Sequence, residues 1–167
     1  IPLISYLFCV IFKSYLSGKQ ISLISCSLLS IATILSLISF YFFHINGDSV
    51  VLISNWISSG SFSVDWSLNF NLLSCSMVLM VNFVSTLIHI YSVGYMNKDP
   101  KRSTFMGYLG LFTFFMLLLV SSNNLLQLFL GWEGVGLTSY LLIGFWNYKN
   151  SANDAAIKAF VVNRIGD

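Results

Sequence analysis

Between positions 21 and 43 the chain has 23 consecutive residues without a charged side chain. As a helix rising 1.5 Å per residue such a run is about 34 Å long, and the hydrocarbon core of a bilayer is about 30 Å thick. The feature recurs. From 67 to 97 the one group that charges near neutral pH is His89, and from 103 to 148 the single formal charge in 46 residues is Glu133. The polar run Ser121-Ser122-Asn123-Asn124 divides that last stretch in two. The expected spans are therefore 21–43, 72–96, 104–120 and 125–146. Residues 1–16 form a further expected span, with Lys13 near its end able to snorkel to the interface. Ala155, Ala156 and Ala159, with Ser151 and Asn153 as capping candidates, predict the start of a sixth helix over 152–167.

Composition closes the alternatives. Charged residues make up 8% of the 167 and hydrophobic ones 56%, whereas a soluble domain is roughly a quarter charged. There is too little charge to solvate a globular surface, so the expected class is an all-α integral membrane protein. It is a multi-span helical bundle forming a single membrane domain over 1–167. A net charge of +2 with scattered Lys and Arg excludes a nucleic-acid footprint. Cys9, Cys26 and Cys75 match no metal, haem or redox spacing and read as small buried residues. The Ile1-Pro2 start, lacking a basic n-region and a small-residue cleavage site, argues against a secretory signal.

Loop charges orient the spans. Lys13 and Lys19 lie in the first connection, Lys98, Lys101 and Arg102 in the third and Lys149 in the fifth, while the second and fourth have no Lys or Arg. Basic residues collect on the non-translocated side. The odd connections therefore belong inside, and the N-terminus and the even connections outside. The long second connection has its own pattern, a β-branched run at 50–57, the turn signal Ser58-Ser59-Gly60 and a period-two alternation over 61–70. That reads as a short extramembrane β-hairpin over about 50–70, with Trp56 and Trp66 suited to the interface.

Glu133 is the leading functional candidate. It is the ninth residue of its expected span, about 12 Å in from the helix end, where an ionised carboxylate must be paired, hydrated or protonated. Desolvation raises a carboxyl group's pKa and a nearby cation lowers it, the sensitivity a proton relay needs. Gly131, Gly134 and Gly136 allow another helix to approach closely and bring a partner. The rival reading is a structural acid in a fixed ion pair. On the last helix Asn163, Arg164 and Asp167 share a face at 100° per residue and Lys158 points away, so Arg164 and Asp167 can pair locally or take part in a relay. The stripe Asn82, Ser85, His89, Ser92 reads as hydrogen-bonding glue between helices. His89 has no ligand-spaced companion for a metal, and the glycine cluster lacks the Lys-Ser/Thr of a phosphate loop.

These residues carry a resemblance. Segment 123–144, NNLLQLFLGWEGVGLTSYLLIG, followed by KAFVVNRIGD at 158–167 and preceded by IHIYSVGYM at 88–96, closely resembles subunit 5 of the NADH dehydrogenase of respiratory complex I. The likeness extends over essentially the whole chain. The family's Trp-Glu-Gly acid falls on Glu133, and its Arg-Ile/Val-Gly-Asp element falls on Arg164 and Asp167, with Asp167 34 residues after Glu133. One departure is Asn71, where many members have an acid before the third span. The resemblance implies the N-terminal portion of an antiporter-like, proton-translocating subunit without a redox centre. FMN, iron–sulfur clusters and ubiquinone are then expected in other subunits. Implied partners are the remainder of subunit 5, as a separate chain or a missing segment, neighbouring antiporter-like and accessory subunits, and membrane lipid. The implied location, helped by the Phe-, Tyr-, Asn- and Ser-rich wording, is the mitochondrial inner membrane. A subunit of a related sodium/proton antiporter and a structural or assembly role without proton transfer are the alternatives.

Overall fold

A computed structural model describes residues 1–60 and 62–166, with the backbone but not the side chain of Asn46. Six helices and one hairpin follow in the order α1 Pro2–Phe12, α2 Gly18–Asn46, β1 Ser49–Ser59, β2 Phe62–Phe70, α3 Leu72–Tyr95, α4 Arg102–Val120, α5 Leu125–Ile143 and α6 Asn150–Gly166. Four of them, α2 to α5, are long and apolar enough to cross a membrane. The first is shorter than expected over 1–16. Its 11 residues reach about 16 Å, half a hydrocarbon thickness, because the chain turns at 13–16 and Ser17 opens the next helix.

Side chains mark the starts. At α2, Ser17 and Gln20 form a capping box: the Ser17 hydroxyl accepts from the Gln20 N–H, and the Gln20 side chain accepts from the Ser17 N–H at 3.1 Å. Asn71 accepts from the Ser74 N–H and Asn124 from the Gln127 N–H, each at 2.8 Å, to cap α3 and α5. The amide of Asn71 thus does the capping work that an acid at that position would also do. The polar run that separates α4 from α5 ends in the cap of α5.

The buried face of the bundle is polar. Among the described residues more polar than apolar side chains are buried, while large apolar ones such as Ile34, Leu37, Leu87, Ile90 and Leu125 point outward. In a bilayer the tails are as apolar as leucine, so helices gain by interhelical hydrogen bonds and close backbone approach. Ser5 of α1 meets Ser25 of α2 at 2.8 Å. Thr33 of α2 meets Thr86 of α3 at 2.8 Å and donates to the Asn82 carbonyl. Ser85 of α3 bonds Thr113 of α4. A small apolar cluster, Cys9, Ile21 and Met106, joins α1, α2 and α4.

The hairpin pairs β1 with β2 antiparallel, Ser49 opposite Phe70 and Ser59 opposite Phe62, with two register irregularities. Gly60 turns at φ +60°, a conformation that suits glycine. The rings of Trp56 and Trp66 meet edge to face, centroids 5.0 Å apart. Of the alternation expected over 61–70, Ser61 lies outside the described residues, and 62–70 do not lay an apolar face on a core. Instead β1 is exposed throughout and β2 is tied by polar groups to the α4–α5 connection. Asn69 N–H donates to the Ser121 carbonyl, Asn124 to the Asp65 carbonyl and Asn123 to the Ser67 hydroxyl. These bonds put the second and fourth connections on one side. On the other, Asp99 accepts from the Trp146 indole at 3.0 Å, and Lys13, Lys101 and Asn147 border one cavity. The first, third and fifth connections therefore share the opposite side, the arrangement the basic residues called for.

Candidate proton-carrying site

The site is built where α4, α5 and α6 meet. An added Cβ at Gly131 would lie 2.8 Å from the Leu119 backbone, and one at Gly134 would lie 2.1 Å from the Phe115 ring. Real Cβ atoms do not sit so close, so α5 reaches α4 only because these positions have no side chain. On the next face the Asn163 amide lies 3.6 Å from where a Cβ of Gly136 would be, and Ala156 lies against Gly144. The Tyr140 and Phe160 rings pack at 5.5 Å between them. Small residues thus set both helix approaches around Glu133.

Glu133 and Arg164 form the one salt bridge among the described residues, Nη1 of Arg164 on Oε1 of Glu133. The carboxylate side chain is 19% exposed and the guanidinium 53% in the chain by itself. Arg164 also lies over the Phe160 ring at 5.4 Å. A carboxylate in the middle of a spanning helix is thereby paired, one of the few states in which it is tolerable there. The partner is the arginine of the following helix. The alternative pairing of Arg164 with Asp167 cannot be followed, because Asp167 lies outside the described residues. Lys158 is exposed on α6 and forms no salt bridge among the described residues, so the pair unites two of the four residues singled out.

The polar stripe on α3 behaves as glue with one distinctive member. His89 is fully buried and its Nδ1 lies 2.8 Å from the Ser85 carbonyl. A carbonyl only accepts, so Nδ1 carries the proton and Nε2 is the free acceptor. Among the described residues neither His89 Nε2 nor Asn82 Oδ1 has a hydrogen-bond partner. No group of three or more His, Cys, Asp or Glu side chains able to hold a metal occurs among the described residues.

Arg102, a loop charge by sequence alone, has a structural role. Arg102 is 4% exposed; its Nε–H donates to the Ser22 hydroxyl at 2.6 Å and its Nη1 to the Asn97 side chain at 3.2 Å. It locks the start of α4 to the start of α2. Its place directly after Lys101 at a span boundary made it look like one more surface cation. Nothing local in the sequence reveals that Ser22, 80 residues earlier, receives it.

Comparison with known proteins places the chain in a family. The family described as NADH-ubiquinone oxidoreductase (complex I), chain 5 N-terminus, matches residues 56–106, and the NADH:quinone oxidoreductase/Mrp antiporter transmembrane family matches residues 122–167. The second match covers α5 and α6, including Glu133 and Arg164. NADH-quinone oxidoreductase subunit L of Rickettsia bellii is 48% identical over the whole chain, which covers 26% of that protein. NADH-ubiquinone oxidoreductase chain 5 of Triticum aestivum is 46% identical over the whole chain, which covers 25% of it. The chain 5 protein of Chondrus crispus is 49% identical over 82% of this chain. The chain spans about a quarter of the length of these relatives. With both family regions matched and relatives near half identity along its whole length, this chain belongs to the chain 5/subunit L family of complex I membrane subunits.

Proposed function

We propose that this chain is the opening part of a proton-translocating membrane-arm subunit of NADH:ubiquinone oxidoreductase, with Glu133 as its proton-carrying group and Arg164 as the cation paired with it. The observation that carries this reading is the pairing of Glu133, in the middle of the spanning helix α5, with Arg164 of α6, which approaches α5 at Gly136. A guanidinium close to a carboxylate favours its ionised form, and withdrawal of the guanidinium in a low dielectric favours the protonated one. In this reading a displacement of α6 against α5 loads and unloads Glu133. Charge shifts along the arm, driven by quinone reduction elsewhere, supply that movement. FMN, the iron–sulfur clusters and ubiquinone belong to other subunits in this reading.

The rest of the family chain, neighbouring antiporter-like subunits and accessory subunits are the proposed partners. Support comes from the share of the relatives' length that this chain spans and from the exposed apolar side chains Ile157, Val161, Val162 and Ile165 of α6. The proposed location is the mitochondrial inner membrane, with the basic connections on the matrix side. Relatives named NADH-ubiquinone oxidoreductase chain 5 support this.

The test is Glu133→Gln in the assembled complex. Glutamine keeps the volume and loses the proton, so assembly and NADH oxidation by the hydrophilic part persist while protons pumped per electron fall. Unchanged pumping in the assembled variant makes Glu133 a structural acid.

A further inference from the structure

A cavity of about 660 Å³ opens on the side of the basic connections, between the C-terminal end of α1, the N-terminal end of α4 and the α5–α6 turn. Among the described residues its charged lining is Lys13 and Lys101, with no carboxylate. Asp99, the acid of the adjoining connection, is already engaged by the Lys101 N–H at 2.8 Å and by the Trp146 indole. Neither lysine belongs to a salt bridge among the described residues. Thr104 from the first turn of α4 and Asn153 from the first turn of α6 also border the cavity, so the positive ends of two helix dipoles meet at the same space. Neither first turn contains an acid. The hydroxyl-bearing rings of Tyr108 and Tyr140 add possible donors, and Leu141 and Ile157 give the cavity an apolar wall.

We propose that this cavity is a binding site for one anionic phospholipid of the inner leaflet, its phosphate between Lys13 and Lys101 and its acyl chains along Leu141 and Ile157. Charge chooses the ligand: two ammonium groups that form no salt bridge among the described residues, in a lining without a carboxylate from those residues, attract an anion. The apolar wall chooses a lipid over a soluble phosphate, because a free anion would leave that wall wet. Basic pockets between spanning helices on the cytoplasmic or matrix side are where anionic head groups bind, and the positive-inside pattern puts this end of the bundle there. The site is made of groups from the first, third and fifth connections. Its occupant would therefore join α1, α4 and α6 at one level. This inference is independent of any role of Glu133.

The experiment uses the whole assembled complex in nanodiscs of phosphatidylglycerol with phosphatidylcholine in excess. Density for a phosphate-bearing lipid in the cavity is expected by cryo-electron microscopy. Native mass spectrometry should show about one retained phosphatidylglycerol fewer in the double variant Lys13→Gln, Lys101→Gln, and unchanged retention in Lys13→Arg, Lys101→Arg. Polypeptide from elsewhere in the complex filling the cavity would overturn the proposal. So would phosphatidylcholine held there as often, or retention untouched by the glutamine pair. Should the glutamine variant fail to assemble, the map of the parent complex and its retained lipid decide the matter alone.

Discussion

Gly131 and Gly134 differ in what opposes them, and the difference is testable. A Cβ at 131 would strike the Leu119 backbone, whereas one at 134 would strike the Phe115 ring. Each alanine substitution should weaken α4–α5 packing by about 1–3 kcal/mol, the usual cost of overpacking. Trimming Phe115 to Leu should restore the assembled level of Gly134→Ala and leave Gly131→Ala defective, measured as intact complex on native gels. Rescue of both, or of neither, would show that these glycines do not set the helix approach. Glu133 itself was legible in the sequence, since one charge in a 46-residue stretch can hardly be surface decoration. Its partner was not. Sequence spacing offered Arg164 a local mate three residues on, and only the approach of α6 at Gly136 and Gly144 delivers the guanidinium to another helix. The same limit hid Arg102, whose acceptor on α2 is fixed by tertiary packing.

The helices α2 to α5 were readable because crossing a bilayer sets a minimum length for an apolar helix. The starts of α3 and α5 fall at Leu72 and Leu125 because Asn71 and Asn124 cap them, and polar residues before an apolar run announce such caps. The hairpin was readable from its turn and β-branched run. How it is held was not, since Asn123, Asn124 and Ser67 join it to the bundle by bonds between segments more than 50 residues apart. Those bonds and the shared cavity of Lys13 and Lys101 fix which connections share a side. A cysteine introduced at Ser59 of the hairpin should react with an impermeant maleimide only from the intermembrane side, and one at Lys98 only from the matrix side. Cys9 and Cys75 are buried and should stay silent. Reaction of both introduced cysteines from one side would refute the topology.

As a whole the molecule is a bundle with a polar interior and an apolar exterior, carrying one ion pair among the described residues, that of Glu133 in mid-span. Such a pair is stable as a fixed strut and useful as a switch, and pumping assays on variants see only its consequences. The proton on Glu133 can be observed directly by infrared difference spectroscopy of the assembled, membrane-reconstituted complex during NADH-driven turnover. If Glu133 loads and unloads as Arg164 approaches and withdraws, a carboxylic acid C=O band rises and falls with turnover in the parent and is missing from the Glu133→Gln difference spectrum. If the parent and Glu133→Gln complexes give the same carboxylic acid bands while the parent pumps, Glu133 keeps its charge throughout, and the pair is a strut.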